Sequence, residues 1–424
     1  MDPKNTKSYR VGVVALLMTG VIINSFDRAA LSVAAPFIIK EFGIDAAIMG
    51  VALSSFFWTY VIGNALGGNL VDRFGSKAVL GWSATIWSVF SAMTGFAHNA
   101  THIVIARLGV GAGEAPAFPA NAKVVANNFP SSERGTAIGV YSSGNRVGLA
   151  LCPIVMAVLI TTWGWRVAFF ITGVCSLLWV ALWCYGFKDL ARDKAKAAGA
   201  IEKVKVPWTE VFTNRALLGI IVVKFTQDFL QWQFMTWVPG YLIMGRGFST
   251  LKMGFYTSLA FAVAAVAQPI IGWLSDWLIK KGWSVNRARK SVQVGLQLLS
   301  ATIIITGFAE DSGIAMFFLV VAISAESTAA GHIWTIMTEV IPGKMVGSIS
   351  GVINAIGAIA GIISPILTGV IVKVTGSFQL ALTIGGCSIL VAAVFIIFVV
   401  PELKPLTLGG KEPELAVPGG PGKG

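Results

Sequence analysis

The chain has 424 residues, 55% of them hydrophobic and only 12% charged, with a formal net charge of +12. A water-soluble protein of this length could not hide so much apolar surface, so a soluble globular fold is excluded. The positive charge lies between apolar segments and forms no soluble basic face, which excludes nucleic-acid binding as its purpose.

Twelve apolar segments each run roughly 20 residues or more, enough to cross a hydrocarbon core about 30 Å thick as a helix. With no water to satisfy backbone groups, a helix is the natural spanning form. The first ten residues are polar, and the first segment (11–33) is long and carries Asp27 and Arg28, which predicts a retained helix and not a cleaved leader. The second (46–70) runs into Gly68-x-x-x-Asp72-Arg73-x-Gly75-x-Lys77, and the third is 78–97. The fourth (102–126) holds Arg107 and Glu114, seven apart and so on one helix face. The fifth (135–160) holds Asn145 and Arg146, and the sixth is 165–187. Residues 188–214, rich in Lys and Ala, join the two halves.

In the second half the seventh segment (216–242) carries Lys224 and Asp228 at i,i+4 spacing, where they can neutralise each other. The eighth (252–279) contains Gly272 and Asp276, and the ninth is 291–309. The tenth (312–338) carries Glu326, His332 and Trp334, the eleventh (346–372) Asn354, and the twelfth is 378–400. The tail from about 404 has a composition typical of disorder.

Orientation follows from the cations. With the N-terminus in the cytoplasm, only Lys40, Arg166, Arg246, Lys252 and Lys373 fall on external loops, which predicts both termini inside. The four cysteines lie apart within spans and show no disulfide or metal spacing.

The halves repeat one another. Pro130, Gly135, Gly139, Pro153, Gly164 and Gly173 recur 212 residues later as Pro342, Gly347, Gly351, Pro365, Gly376 and Gly385, while Gly68 and Asp72 return as Gly272 and Asp276. Gly and Pro fix backbone geometry, so matching sets imply matching bends and close contacts. A duplicated, membrane-embedded chain is the signature of a secondary transporter. The expected fold is all-α, with two pseudo-symmetric six-helix bundles at 1–187 and 215–403, a linker at 188–214 and a tail at 404–424.

The string around Asp72 closely resembles the loop signature of the major facilitator superfamily. In it Gly68 permits close helix approach and Gly75 a tight turn. Asp72 can accept bonds from a helix end or a cation to hold the cytoplasmic side shut, and Arg73 and Lys77 meet the anionic leaflet. The second copy has Trp277 where the first has an arginine, so the weaker gate is expected there. Within that superfamily the strings around Asp27-Arg28 and Arg107 to Glu114 are similar to the anion:cation symporters, and to sugar-acid permeases for galactonate or glucarate in particular.

The resemblance implies uptake of a small organic anion with protons across the inner membrane, by a monomer with no cofactor or metal and no enzymatic activity. It also implies roles. Arg28 is the carboxylate anchor, for which a forked guanidinium is suited. Asp27 and Glu114 couple to protons, and Arg107 links the two sites. Tyr60, Asn145 and Asn354 line the sugar-acid cavity or serve as interhelical bond partners. Trp334 is an aromatic position of the tenth segment. Arg146, Lys224, Asp228, Glu326 and His332 depart from the sugar-acid pattern and leave an aromatic or dicarboxylic acid open as substrate. Arg146 and Lys224 are nonetheless candidate substrate-binding residues, Lys224 as a second anchor near a substrate position of relatives, and Glu326 either pairs with a cation across the cavity or binds a cationic group on the substrate.

Other signals carry less. Gly109, Gly111 and Gly113 invite a nucleotide-loop reading but lie inside a span with no preceding strand, where a helix-packing surface is simpler. His98 and His102 straddle a short loop without a third ligand. Trp163 to Arg166 reads as an interfacial anchor.

Overall fold

A computed structural model describes residues 7–187, 206–342 and 345–408. Most of the 188–214 connection and of the tail beyond 404 therefore lies outside the described residues. Helices start where a short polar side chain precedes an apolar run and satisfies a free N–H of the first turn. Asp45 accepts from Ile48 N–H (2.9 Å) to begin α2 (Ala46–Phe74). Asn99 does the same for α4 (Ala100–Glu114), and Asp311 for the later helix Ser312–Val340. The remaining first-half helices are α1 (Lys7–Phe42), α3 (Ser76–Thr94), α5 (Ala117–Asn128) and α6 (Ser131–Gly186). Beyond the linker come α7 (Trp208–Thr213), α8 (Arg215–Gly240), α9 (Thr250–Lys280), α10 (Val285–Ala301), α11 (Ile303–Phe308), α12 (Ser312–Val340), α13 (Val346–Thr375) and α14 (Gln379–Val394).

Among the described residues, eight helices are long and apolar enough to cross a membrane. Helical backbone covers every predicted apolar segment, with three differences in detail, one of them a break in the ninth at Thr302 between α10 and α11. The fourth segment is divided, because α4 ends at Glu114 and α5 starts only after Pro116, whose missing N–H cannot continue the ladder. The fifth and sixth segments run together as α6 through a turn at Gly164, where φ is +82°. Its partner in the repeat, Gly376, closes α13 with φ +67°. Only glycine adopts both without strain.

The repeat reappears in the packing. A Cβ on Gly50 of α2 would lie 2.5 Å from the Pro365 carbonyl of α13, and one on Gly254 of α9 would lie 2.8 Å from the Pro153 carbonyl of α6. These two pairs are counterparts in the two halves, and they form matching seams between the halves. The α2/α13 seam also carries Gly361 against the Phe57 ring and an ion pair of Lys373 with Asp45 at 2.8 Å. The α6/α9 seam adds a bond from Ile154 N–H to the Ser258 hydroxyl at 3.0 Å. By contrast, added Cβ atoms on Gly68, Gly139, Gly272 and Gly351, at the opposite ends of these four helices, would meet nothing.

Lys373 and the Ile48 N–H hold the Asp45 carboxyl below its ordinary range. A depressed carboxyl contributes stability above its unfolded pKa and loses it as pH falls through the folded value. Asp45→Asn keeps the cap but drops the ion pair. Its thermal midpoint should therefore sit below wild type by a constant margin from about pH 5 to 8, and the margin should close in acid below about pH 4.

The glycines of α4 form a packing surface. Added Cβ atoms would lie 2.1 Å from the Phe56 carbonyl at Gly111, 2.2 Å from the Phe90 ring at Gly109 and 2.7 Å from the Trp87 N–H at Gly113. Gly111→Ala is expected to lower stability by about 1–3 kcal/mol through overpacking, read as a lower unfolding midpoint in detergent. Gly12→Ala, at an open helical position, should leave the midpoint unchanged or raise it.

Candidate functional site

Three helices of the first half build one charged cluster. α1 brings Arg28, α4 brings Glu114 and Arg107, and α2 brings Phe56 and Tyr60, one helical turn apart. Arg28 donates from Nε (3.0 Å) and Nη2 (2.7 Å) to the same oxygen of Glu114, and from Nη2 to Asn24 Oδ1 at 3.3 Å. Its guanidinium carbon lies 5.1 Å from the centre of the Phe56 ring and 5.0 Å from that of Tyr60. The Arg107 carbon lies 5.0 Å from the centre of the same Phe56 ring. Glu114 is fully buried, while the Arg28 side chain keeps 9% of its surface accessible. An ion pair taken out of water persists only when its geometry is good and its remaining bonds are met. A forked donor with a reachable edge can also exchange one carboxylate for another.

Phe56 is the member that sequence reasoning missed. Its one signal was the i,i+4 spacing to Tyr60, which an apolar helix offers at many positions.

Arg107 does not reach the Glu114 side chain. It donates to the backbone carbonyls of Asp27 (3.4 Å) and Arg28 (3.3 Å), and so fixes the stretch of α1 that carries both. The Asp27 carboxylate turns away from Arg28. It accepts from Ser91 of α3 (3.2 Å) and Ser176 of α6 (2.9 Å) and is almost wholly buried. The two carboxylates expected to share one role thus occupy separate seats, Asp27 against α3 and α6 and Glu114 against Arg28. Asn145 donates to Ser25 at 2.8 Å, an interhelical bond between α6 and α1.

In the second half Lys224 and Asp228 form a buried ion pair one turn apart on α8, and Gly357 of α13 packs directly against it. Lys224 is therefore committed to Asp228. Asn354 of α13 is half-buried, and Trp334 of α12 is 42% exposed. Arg146 reaches out of the first half. It donates from Nε to Gln268 of α9 (3.1 Å) and from Nη2 to the Ser327 carbonyl of α12 (2.8 Å). His332 contacts Gln293 (3.0 Å) and Ser275 (3.3 Å).

The loop motif and its copy form their ion pairs within their own halves. Asp72 of α2 pairs with Lys123 of α5 at 2.8 Å, and Gly75 turns the chain into α3 with φ +87°. Arg73 is exposed, with its carbon 5.2 Å from the Phe74 ring, and the Lys77 carbonyl accepts from Trp183. Gly68 makes no close helix approach in this arrangement. In the second copy Asp276 pairs with Arg289 at 2.7 Å, and the same arginine binds Glu339 (3.3 Å) and the Ser275 hydroxyl (2.9 Å). The second copy thus has one arginine joining two carboxylates and a hydroxyl. Its cation comes from α10, thirteen residues along the chain, and no local motif reveals it.

The family model described as Major Facilitator Superfamily matches residues 17–365. The chain is 33% identical to the probable galactarate/D-glucarate transporter GudP of Escherichia coli (strain K12), over 94% of this chain and 95% of that one. It is 30% identical to the D-galactonate transporter of Escherichia coli O6:H1, over 92% and 95%. Among solved structures, a bacterial homolog of the human lysosomal transporter Spinster superposes with a TM-score of 0.75 at 19% identity, covering 93% of this chain and 96% of that one. A D-xylose-proton symporter gives 0.75 at 18% identity, covering 93% and 99%. The match over most of the chain and the long apolar helices agree: the chain belongs to the major facilitator superfamily, and is a multi-pass transporter of the inner membrane, not an enzyme.

Proposed function

We propose that the chain takes up a small sugar acid, of the galactarate, glucarate, galactonate or hexuronate kind, together with protons by alternating access. One observation carries the reading: the guanidinium best suited to hold a substrate carboxylate is already occupied by Glu114. A substrate anion and the ionised Glu114 therefore compete for the same fork. A proton arriving from the outer face neutralises Glu114, and Arg28 is released to bind the anion. Proton and substrate then favour each other's binding, as linkage requires. The names of the relatives support a sugar acid as cargo.

Tyr60 beside the guanidinium, with Trp334 and Asn354 from the second half, completes the proposed substrate site. Asp27 is a second proton carrier, set behind α1 and tied to the first by the hold of Arg107 on the shared backbone. The two halves, 1–187 and 215–403, are the bodies that rock, and the carrier works as a monomer with both ends of its twelve spans in the cytoplasm. The glycine seams near Gly50 and Gly254 lie toward the external ends of their helices in that orientation, where Asp45 and Lys373 also meet. This arrangement is the inward-facing one. In the outward-facing state the open positions at Gly68, Gly139, Gly272 and Gly351 become the matching seams, and the Asp72 and Asp276 networks brace them.

Uptake of labelled D-glucarate and D-galactonate into proteoliposomes tests the reading. Accumulation should require an inward proton gradient, and addition of substrate should make the outer medium more alkaline. Accumulation indifferent to the gradient would remove proton coupling from the account.

A further inference from the structure

Glu326 of α12 has no place in the scheme above. Its side chain is fully buried, and neither carboxylate oxygen has a hydrogen-bond partner. The hydroxyl of the next residue, Ser327, is likewise buried without one. Among the described residues, the ionisable groups close enough to act on Glu326 are Arg146 from α6 and Lys224 and Asp228 from α8. Lys224 is spent on Asp228. Arg146 passes close by but gives its bonds to the Gln268 amide of α9 and the Ser327 carbonyl. A guanidinium from one half thus stands beside an unsatisfied carboxyl of the other, one residue from the carbonyl that it holds.

An ionised carboxylate buried without a donor is among the costliest things a protein can hold, and the neutral acid avoids much of that cost. A metal ion in its place would face the positive charges of Arg146 and Lys224 and would find no second free carboxylate. We propose that Glu326 is a proton-binding site of the second half, filled in this arrangement and emptied when Arg146 leaves Gln268 and the Ser327 carbonyl to pair with the carboxylate. The Oε–H bond forms in the outward-facing state with a proton taken from the outer solution; it breaks when the guanidinium arrives while the cavity still opens inward, and the proton leaves to the cytoplasm. Because Arg146 belongs to the other half, relative movement of the halves changes its distance to Glu326 and so couples this proton to the transport cycle. The inference rests on the proton-symport reading above and adds a carrier to it.

The test counts protons per substrate in proteoliposomes, pairing labelled D-glucarate uptake with the alkalinisation of a pH dye. Glu326→Gln, which mimics the neutral acid, should carry the substrate with about one proton fewer per molecule, while Glu326→Asp keeps the wild-type count. Replacing sodium by choline should change neither. A Glu326→Gln protein that transports with the full count overturns the inference and leaves proton symport standing. A wild type that moves no protons removes both, and that result is read before any variant is made. If Glu326→Gln does not assemble, an Asp27→Asn, Glu114→Gln double variant decides. It should still carry about one proton with each D-glucarate into proteoliposomes, and substrate carried with none overturns the proposal.

Discussion

Replacing Arg28 by lysine is expected to weaken sugar-acid binding by about 30- to 150-fold, the equivalent of roughly 2–3 kcal/mol, and to abolish measurable uptake. The fork makes the difference. Arg28 donates from two nitrogens to one Glu114 oxygen while its plane rests near Phe56 and Tyr60, and an ammonium can match neither the paired geometry nor the ring contact. Charge is conserved in the variant, so the protein should still fold and elute as wild type. Titration calorimetry with D-glucarate on purified protein reads the loss. Unchanged affinity would mean that the carboxylate is held elsewhere.

Glu114→Gln should separate binding from pumping. The fork is then never occupied by an internal anion, so substrate affinity should lose most of its pH dependence and should exceed wild type in alkaline solution. Counterflow exchange should persist. Accumulation under a one-unit pH gradient should fall from about tenfold for each coupled proton toward no accumulation through this site. The variant leaves a buried guanidinium without its partner, a change that usually costs about 3–5 kcal/mol of stability. A lower thermal midpoint that recovers when D-glucarate is added is therefore part of the expected result.

The sequence displayed the architecture because its signals are local or periodic. Apolar runs marked the helices, and of the repeated Pro and Gly set Pro153 and Pro365 lie in the twin seams, while Gly50 and Gly254 opposite them carried no such mark. Gly164 and Gly376 share a positive φ, and Gly173 and Gly385 are both packed tightly, against Ala92 and Gln233 respectively. What stayed hidden depends on partners far apart in the chain. Nothing near Asp27 indicates that Ser91 and Ser176 will receive its carboxylate, since 64 and 149 residues separate them. Asn145 looked equally suited to a cavity or to a neighbouring helix, and only the position of Ser25 shows which bond it makes. Arg146 and Glu326 looked like departures from a family pattern. Their meaning lies in a contact between the halves that no single helix encodes. The break after Glu114 was written in Pro116, yet its consequence was not legible: Glu114 ends α4 where it meets Arg28 from α1.

The competition between substrate and Glu114 for one guanidinium is most directly measured by proton exchange on binding. D-glucarate is added to purified protein in weakly buffered solution, and the pH change is followed alongside the dissociation constant from pH 5 to 9. The account predicts net proton uptake on binding and an affinity that weakens by up to about tenfold per pH unit on the alkaline side, with most of that slope absent in Glu114→Gln. Saturable binding with no proton uptake and one dissociation constant across the range would contradict it.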